Sequence, residues 1–180
     1  MIRRRNNGPF LAQKDGTFAI NLAPDVLNLL THMFGELRDV LIQADTTDPA
    51  LRRLFPVAYN LDPESDEEYQ RLMRSELVAS RLAGISRAIE IIETSNVLSG
   101  PDLIQFMQAL NSIRLLLGTM LDVGEDHEPE DYVPRQSDSQ SDSQDEDPRI
   151  AQHHLYAYLG WLVESAVSVQ TGRGGKLLNS

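Results

Sequence analysis

No cysteine occurs anywhere in this chain of 180 residues. Disulfide bridges, thiolate nucleophiles, cysteine-ligated zinc and iron–sulfur clusters are therefore excluded, as is a secreted disulfide-stabilised scaffold. A hydrophobic content of 41% is close to the globular average, so the chain should fold. Its length suits one domain with a single core.

Long apolar runs are missing as well. The N-terminus carries a basic cluster, Arg3-Arg4-Arg5, but the apolar stretch of a secretory signal does not follow it. No run approaches the roughly 18 apolar residues that a membrane span needs. We therefore expect a cytoplasmic protein without a membrane partner.

Negative charge is abundant, but it is concentrated in one segment. The formal net charge is −11, and residues 125–147 contain ten acidic residues and one basic residue, Arg135. That segment accounts for −9, which leaves −2 for the remainder of the chain. The remainder is thus near neutral, and a phosphate-binding surface is neither indicated nor excluded.

The N-terminal pattern predicts a β-hairpin. Strands at 10–14 and 17–22 flank Asp15-Gly16, a dipeptide typical of a type I′ turn in which both central residues have positive φ. The second strand alternates apolar and polar residues, so one of its faces can be buried. Because an isolated hairpin is marginally stable, we expect it to lie on helices.

Apolar residues at spacings of three and four predict four long helices. Their expected extents are 24 to about 45, 63 to about 93, about 100 to 122, and 148 to 170, with a short helical turn at 50–54. The starts of the first three helices are marked by Pro24, by Asp62-Pro63 and by Ser99, two residues before Pro101. Leu72 and Ile150 are among the apolar positions expected in the core.

Residues 124–147 form a low-complexity acidic stretch for which disorder is expected. A flexible chain of this length spans about 25–30 Å, enough to return the chain to the same bundle. The fold class expected is mainly α: a four-helix bundle-like domain with a small N-terminal β-hairpin and a disordered acidic insertion. The expected divisions are a flexible basic N-terminus at 1–9, the hairpin and three helices at 10–123, the acidic linker at 124–147, a fourth helix at 148–170 that packs back on the same domain, and a flexible tail at 171–180.

Serines beside acidic residues allow two interpretations of the acidic linker. Ser137, Ser139, Ser141 and Ser143 are typical of an interaction or phosphorylation segment. The same composition also suits a linker that only keeps the protein in solution. Both interpretations stay open.

Histidine does not form a metal-binding pattern here. The chain has four, His32, His127, His153 and His154. The last two are adjacent, so on a helix they point about 100° apart and do not share one ion. No metal and no cofactor are predicted.

Catalytic signatures are weak. Glu90 and Glu93 are three apart on the second helix and would be the acid–base pair of a hydrolase, although such pairs usually form a solvated face. A glycine-rich stretch at 172–176 superficially resembles a phosphate loop, but Lys176 is followed by leucine and no strand–loop–helix surrounds it. We predict that the protein is not an enzyme.

Basic residues offer a candidate binding surface. The arginines of the second helix are diluted by glutamates, and no short helix–turn–helix with a basic recognition helix is apparent, so autonomous DNA binding is not expected. Arg52 and Arg53 lie on a short turn expected to be exposed, where they would meet acidic partner groups. The candidates for a partner-binding surface are Arg52, Arg53, Arg71 and Arg74.

Three blocks of the chain carry a family resemblance. They lie at 48–59 with continuations at 62–64 and 68–72, at 110–121, and at 158–164. Together they resemble an actinobacterial family of formerly unknown function, which includes the oxidative-stress-response transcriptional regulator AosR. The resemblance runs from the hairpin to Val169. Within these blocks Asn111 and Arg114 are expected to fix loops by hydrogen bonds to the backbone.

The resemblance implies a transcription-associated regulator of the stress response that contacts a sigma factor or RNA polymerase. In family members of the redox-sensing kind, a cysteine pair of the protein itself is oxidised. This chain departs from them because it has no cysteine. Genes of the family often lie beside one for a Clp-protease adaptor, so an adaptor or interaction protein of Clp-dependent proteolysis is the alternative. Homodimerisation is a further expectation, since Leu29 and Ile42 fall outside the core stripe of the first helix.

Overall fold

The structure is a computed structural model that describes residues 8–43, 48–56, 62–123 and 148–172. The expectations for the basic N-terminus, the acidic linker and most of the C-terminal tail concern residues outside these ranges. The side chain of Arg71, on the second helix, is also outside the description.

Four long helices dominate the molecule, and the mainly α class with an N-terminal hairpin is confirmed. In chain order the elements are β1 (Phe10–Ala12), β2 (Phe18–Ile20), α1 (Pro24–Gln43), a 3-10 turn (Pro49–Leu51), α2 (Pro63–Thr94), β3 (Val97–Leu98), α3 (Gly100–Met120) and α4 (Pro148–Gln170). Helix α3 contacts α1, α2 and α4, and α4 also contacts β1. None of the helices in the described ranges combines the length and the apolarity needed to cross a bilayer.

Helix starts follow the capping residues read from the sequence. The carboxylate of Asp62 accepts a hydrogen bond from the backbone N–H of Ser65 (3.2 Å) at the start of α2. At the start of α3 the Ser99 hydroxyl accepts from the backbone N–H of Asp102, and the Asp102 carboxylate accepts from the backbone N–H of Ser99, each at 3.2 Å. This reciprocal capping box satisfies backbone donors that the first turn leaves unpaired.

The hairpin is present, but its turn differs from the expected one. Strands β1 and β2 pair antiparallel with Phe10 opposite Ile20. In the turn only Gly16 has positive φ, at 85°, whereas a type I′ turn needs positive φ at Asp15 as well. Gln13 and Thr17 close a three-residue loop, with Gln13 N–H donating to the Thr17 carbonyl at 2.8 Å. The type I′ prediction was therefore wrong, because three loop residues need only one left-handed position.

A third strand was missed in the sequence. Val97–Leu98 pairs antiparallel with β2, and the backbone N–H of Ile20 donates to the carbonyl of Asn96 at 2.8 Å. Asn96 has φ of 52°, a left-handed conformation that asparagine tolerates better than most residues. Two residues between two helices give no periodicity, so this strand follows only from its partner.

Aromatic rings join the sheet to the helices. Phe106 of α3 makes edge-on contacts with Phe10 of β1, at 6.0 Å between ring centroids, and with Phe34 of α1, at 5.7 Å. All three rings are at most 3% exposed. Edge-to-face geometry adds a favourable electrostatic contribution to the burial of apolar surface. The hairpin is thus held by the bundle, as expected.

Two apolar positions expected in the core are on the surface. Leu72 is 59% exposed and Ile150 is 47% exposed, whereas Ala88 and Ile91 are buried. Helix α2 has 32 residues, or about 48 Å, and α3 has 21, so α2 extends past its neighbour. Leu72 lies in the N-terminal third of α2, and we attribute its exposure to this difference in length.

One ion pair ties α2 to the start of α3. Arg87 Nε donates to Asp102 Oδ1 at 2.9 Å, and Arg87 Nη1 donates to Glu90 at 2.9 Å. Hydrogen bonds from Arg87 and then from Ser99 lower the pKa of Asp102 from 3.8 to about 2. The same carboxylate caps α3 and binds α2, so its charge should contribute to stability.

We expect Asp102→Asn to lower the free energy of unfolding by about 1 kcal/mol at neutral pH, a modest value because solvent screens this pair. The folded-state pKa of about 2 is below the ordinary 3.8, so the contribution is present above pH 3.8 and is lost as the pH falls towards 2. Urea unfolding from neutral pH down to about pH 3 measures it. Glu93→Gln, which removes an exposed acid of α2, is the control. A constant difference between Asp102→Asn and the parent protein across this range would contradict the assignment.

Candidate functional site

Of the predicted site residues, Arg52 and Arg53 lie within residues 48–56, hereafter the 48–56 segment, and Arg74 lies against it. It begins at Asp48, whose carboxylate accepts from the backbone N–H of Ala50 at 2.8 Å and starts the 3-10 turn. Three residues of the segment, Leu51, Leu54 and Phe55, have buried side chains. The segment is therefore held on the bundle by its own apolar side chains, and the arginines lie around these anchors.

Arg52 and Arg53 have different environments. Arg52 Nη2 is 3.5 Å from Asp122 Oδ1, and both side chains are mostly exposed, so this ion pair contributes little. Arg53 is half-buried, and its Nη2 donates to the backbone carbonyl of Val123 just after α3. The expectation that Arg53 would be exposed was wrong, because that carbonyl draws its guanidinium onto α3.

Arg74 also lies against this segment. Its guanidinium lies over the Phe55 ring, 4.8 Å from the centroid, and the residue is half-buried. A cation over an aromatic face is attracted by the ring quadrupole. The structure thus brings Arg52, Arg53 and Arg74 to one segment, whereas nothing can be said of the Arg71 side chain. Their role in partner binding stays a prediction.

Arg81, like Arg87, is an arginine of the second helix that was not among the predicted site residues. Its Nη2 donates to the Leu54 carbonyl at 2.8 Å, and its Nη1 donates to the Ser112 hydroxyl at 3.0 Å. The guanidinium also lies 5.5 Å from the Phe55 ring centroid. One side chain of α2 therefore bonds both to α3 and to the 48–56 segment. Its spacing of seven from Arg74 places both on one helix face, the signal that could have found it.

Burial lowers the pKa of Arg81 but does not remove its charge. Desolvation lowers the pKa of its guanidinium, which still leaves an arginine charged at neutral pH. Both of its hydrogen-bond acceptors are neutral oxygens, and among the residues that the structure describes it makes no ion pair. Ser112 in turn donates to the Gln108 carbonyl at 2.7 Å, which orients its oxygen towards the guanidinium. The arginine is thus hydrogen-bonded but not neutralised.

A groove lies beside Arg81 between α2 and α3, with a volume of about 310 Å³. Its polar lining comprises Ser80, Arg81, Gln105, Gln108, Asn111 and Ser112. Aliphatic side chains line the remainder, with Gly84 between them. Pockets that bind small molecules combine apolar walls with a few polar groups in this way, and this one is at the small end of their size range. It is a concave candidate site within the described part of the chain.

The expected roles of Asn111 and Arg114 are replaced by others. Asn111 lines the groove, and the Arg114 guanidinium lies over the Tyr156 ring of α4 at 4.7 Å. Gly160 accommodates this contact, since a Cβ there would be 3.3 Å from Arg114 Nε. Arg114 therefore stabilises the contact between α3 and α4 through a ring face.

The hydrolase pair does not meet in the groove. Glu90 accepts a hydrogen bond from Arg87, Glu93 is exposed, and neither lines the groove. His32 Nε2 is 3.3 Å from Oε1 of Glu36, its neighbour one turn on, and both side chains are exposed. Within the described ranges, no three histidine, aspartate or glutamate side chains converge as metal ligands.

A second candidate surface is aromatic. The rings of Tyr158 and Trp161 on α4 are 5.4 Å apart, and Trp161 is 47% exposed. Burial, and secondarily the charge of Asp25 at the start of α1, raises the pKa of Tyr158. Leu29, one turn after Asp25 on the same face, is 43% exposed. We call Leu29, Tyr158 and Trp161 the aromatic surface.

Comparison with known proteins gives one match. A family model described as a domain of unknown function, DUF2017, matches residues 7–170. No curated protein and no solved structure matches the chain. The match covers both the groove and the aromatic surface.

Substitutions of two helical glycines, Gly84 and Gly118, test how α3 packs against Tyr156 and Arg53. A Cβ at Gly84 would meet only Gln105 Cβ, at 4.0 Å, so Gly84→Ala should raise the free energy of unfolding by up to about 1 kcal/mol through helix propensity. A Cβ at Gly118 would be 2.8 Å from Tyr156 Cε2 and 3.0 Å from Arg53 Nη1, so Gly118→Ala should lower it despite the same gain in propensity. Urea unfolding of both variants measures the difference. Equal stabilisation by the two substitutions would show that Tyr156 and Arg53 do not pack as described.

Proposed function

The chain belongs to the DUF2017 family, whose function is unknown, and from that premise we propose that it is a non-enzymatic regulator that acts by binding another protein. The proposed partner is a sigma factor or RNA polymerase at stress-response genes, and sensing does not involve a thiol of this chain. The observation that carries the proposal is the aromatic surface of Leu29, Tyr158 and Trp161.

The aromatic surface has the composition of a binding hot spot. Tryptophan and tyrosine are enriched among the residues that contribute most to protein–protein affinity. Trp161 keeps about half of its surface in solvent, although the buried positions Leu159 and Leu162 lie beside it on α4. A partner that covered this ring would remove apolar surface from water without any rearrangement of the core. This supports protein binding by the exposed apolar residues of α4 and α1.

The identity of the partner rests on the resemblance alone. The blocks at 48–59, 110–121 and 158–164 resemble the family that includes AosR, and the third block contains both aromatic rings. Arg52 is the most exposed of the described candidate arginines and supplies a second, charged contact. Rim charges of this kind affect the association rate and the choice of partner more than affinity.

We expect Trp161→Ala combined with Leu29→Ala to weaken partner binding by at least about tenfold, because truncation of hot-spot residues typically costs more than 1 kcal/mol. Fluorescence anisotropy of the labelled protein, titrated with stress sigma factors or core polymerase at physiological salt, measures it. Ile42→Ala is the matched control: Ile42 is an exposed apolar residue of α1, about 20 Å along the helix from Leu29. Arg52→Ala should have a smaller effect that disappears at high salt.

Other outcomes would assign the protein differently. Saturable binding to a Clp adaptor alone would favour the proteolysis alternative, and tight binding to a promoter duplex alone would contradict action through protein contacts. Polymerase binding that Arg52→Ala abolishes, and that the aromatic variant leaves intact, would move the binding surface to the 48–56 segment. Unfolding in urea confirms that each variant is as stable as the parent protein.

A further inference from the structure

The groove between α2 and α3 has an unbalanced charge. Arg81 is the one charged residue among the described residues that line it. Residues 77–85 of α2 and 103–113 of α3, which supply almost all of that lining, contain no aspartate or glutamate. Buried or partly buried charges usually have a charged partner, whereas among the described residues the acceptors of this guanidinium are the neutral oxygens of Leu54 and Ser112. The groove therefore has a net positive character although the whole chain is acidic.

From this charge and this shape we infer that the groove binds a small organic monocarboxylate, with its carboxylate on the Arg81 guanidinium and its hydrocarbon part against the aliphatic lining. The site is independent of the aromatic surface, because the groove is formed by α2 and α3 whereas the aromatic surface lies on α1 and α4. The inference therefore goes beyond the proposed function and does not depend on it.

The donor set favours a carboxylate. A guanidinium carries five N–H groups, and Arg81 uses one of the two on Nη1 and one of the two on Nη2 for its intramolecular bonds. Within the described part of the chain neither terminal nitrogen has a second acceptor, so one hydrogen of each remains for an anion. Bidentate contact with a carboxylate is the preferred geometry of arginine. A single cation neutralises a monocarboxylate, whereas a phosphate dianion would keep one uncompensated charge in the groove.

The other lining residues fit the remainder of such a ligand. Gln105, Gln108 and Asn111 present amide groups that can donate to the carboxylate oxygens. Leu77, Ile85 and Leu115 provide apolar walls, and Gly84 leaves space between them. A volume of about 310 Å³ admits a molecule of metabolite size but not a folded protein element.

Benzoate is a suitable probe because it combines one carboxylate with one apolar ring. In a titration of the ¹⁵N-labelled full chain followed by NMR, we expect saturable shifts of backbone amides confined to residues 80–85 and 105–115, with a Kd on the order of 1 mM. Benzamide, the uncharged analogue, should produce no saturable shift. Phenyl phosphate should bind no more tightly than benzoate.

Variants test the role of the guanidinium. Arg81→Gln removes the charge and keeps N–H donors for Leu54 and Ser112, and it should weaken benzoate binding by at least about tenfold. Arg38→Gln, which removes an arginine of α1, is the charge-matched control and should bind as the parent does. Asn111→Leu removes a groove amide that takes no part in holding Arg81, and it should weaken binding several-fold while the fold is preserved.

The wild-type shift map decides the question if Arg81→Gln does not fold. Benzoate shifts that are absent or scattered over the surface would overturn the inference. Equal shifts with benzamide, tighter binding of phenyl phosphate, or unchanged affinity in folded Arg81→Gln would also overturn it. None of these results bears on sigma factor or polymerase binding, so the two proposals fail separately.

Discussion

The half-buried guanidinium of Arg81 is the constraint on which the arrangement around the 48–56 segment depends. A desolvated charge must keep its hydrogen bonds, and Arg81 finds acceptors in the Leu54 carbonyl and the Ser112 hydroxyl. These bonds hold the 48–56 segment against α3, and Arg74 over Phe55 strengthens the same contact. Because both acceptors are neutral, the arginine keeps its charge uncompensated beside the groove.

Local signals in the sequence predicted the helices well. Their starts follow from Pro24, the Asp62 cap and the Ser99–Asp102 capping box, whose stabilising contacts lie within four residues. Features that depend on distant partners were not predictable in this way. Strand β3 exists because β2 lies beside it, and Leu72 is exposed because it lies in the first third of the long helix α2. Neither the pairing of β3 nor the exposure of Leu72 is determined by the residues next to it in the sequence.

The candidate site shows the same division. The block around Arg52 and Arg53 and the arginines of the second helix were predictable from the sequence, but only as surface charges. Arg53 instead donates to the Val123 carbonyl, 70 residues away along the chain. The groove was not predictable, since it forms only where two helices with few distinctive residues meet. What the sequence does show, in retrospect, is the absence of acids from both stretches that line it.

The most direct measurement of the central claim is amide hydrogen exchange in Arg81→Met. Leu54 and Phe55 donate their backbone N–H groups to the Leu51 carbonyl, so their exchange reports opening of the 48–56 segment. If Arg81 holds the segment, these amides should exchange at least about tenfold faster in the variant, as expected for the loss of a charge-assisted hydrogen bond. Amides in the middle of α3 should keep their protection. Unchanged exchange at Leu54 and Phe55, or an equal increase throughout α3, would contradict the account.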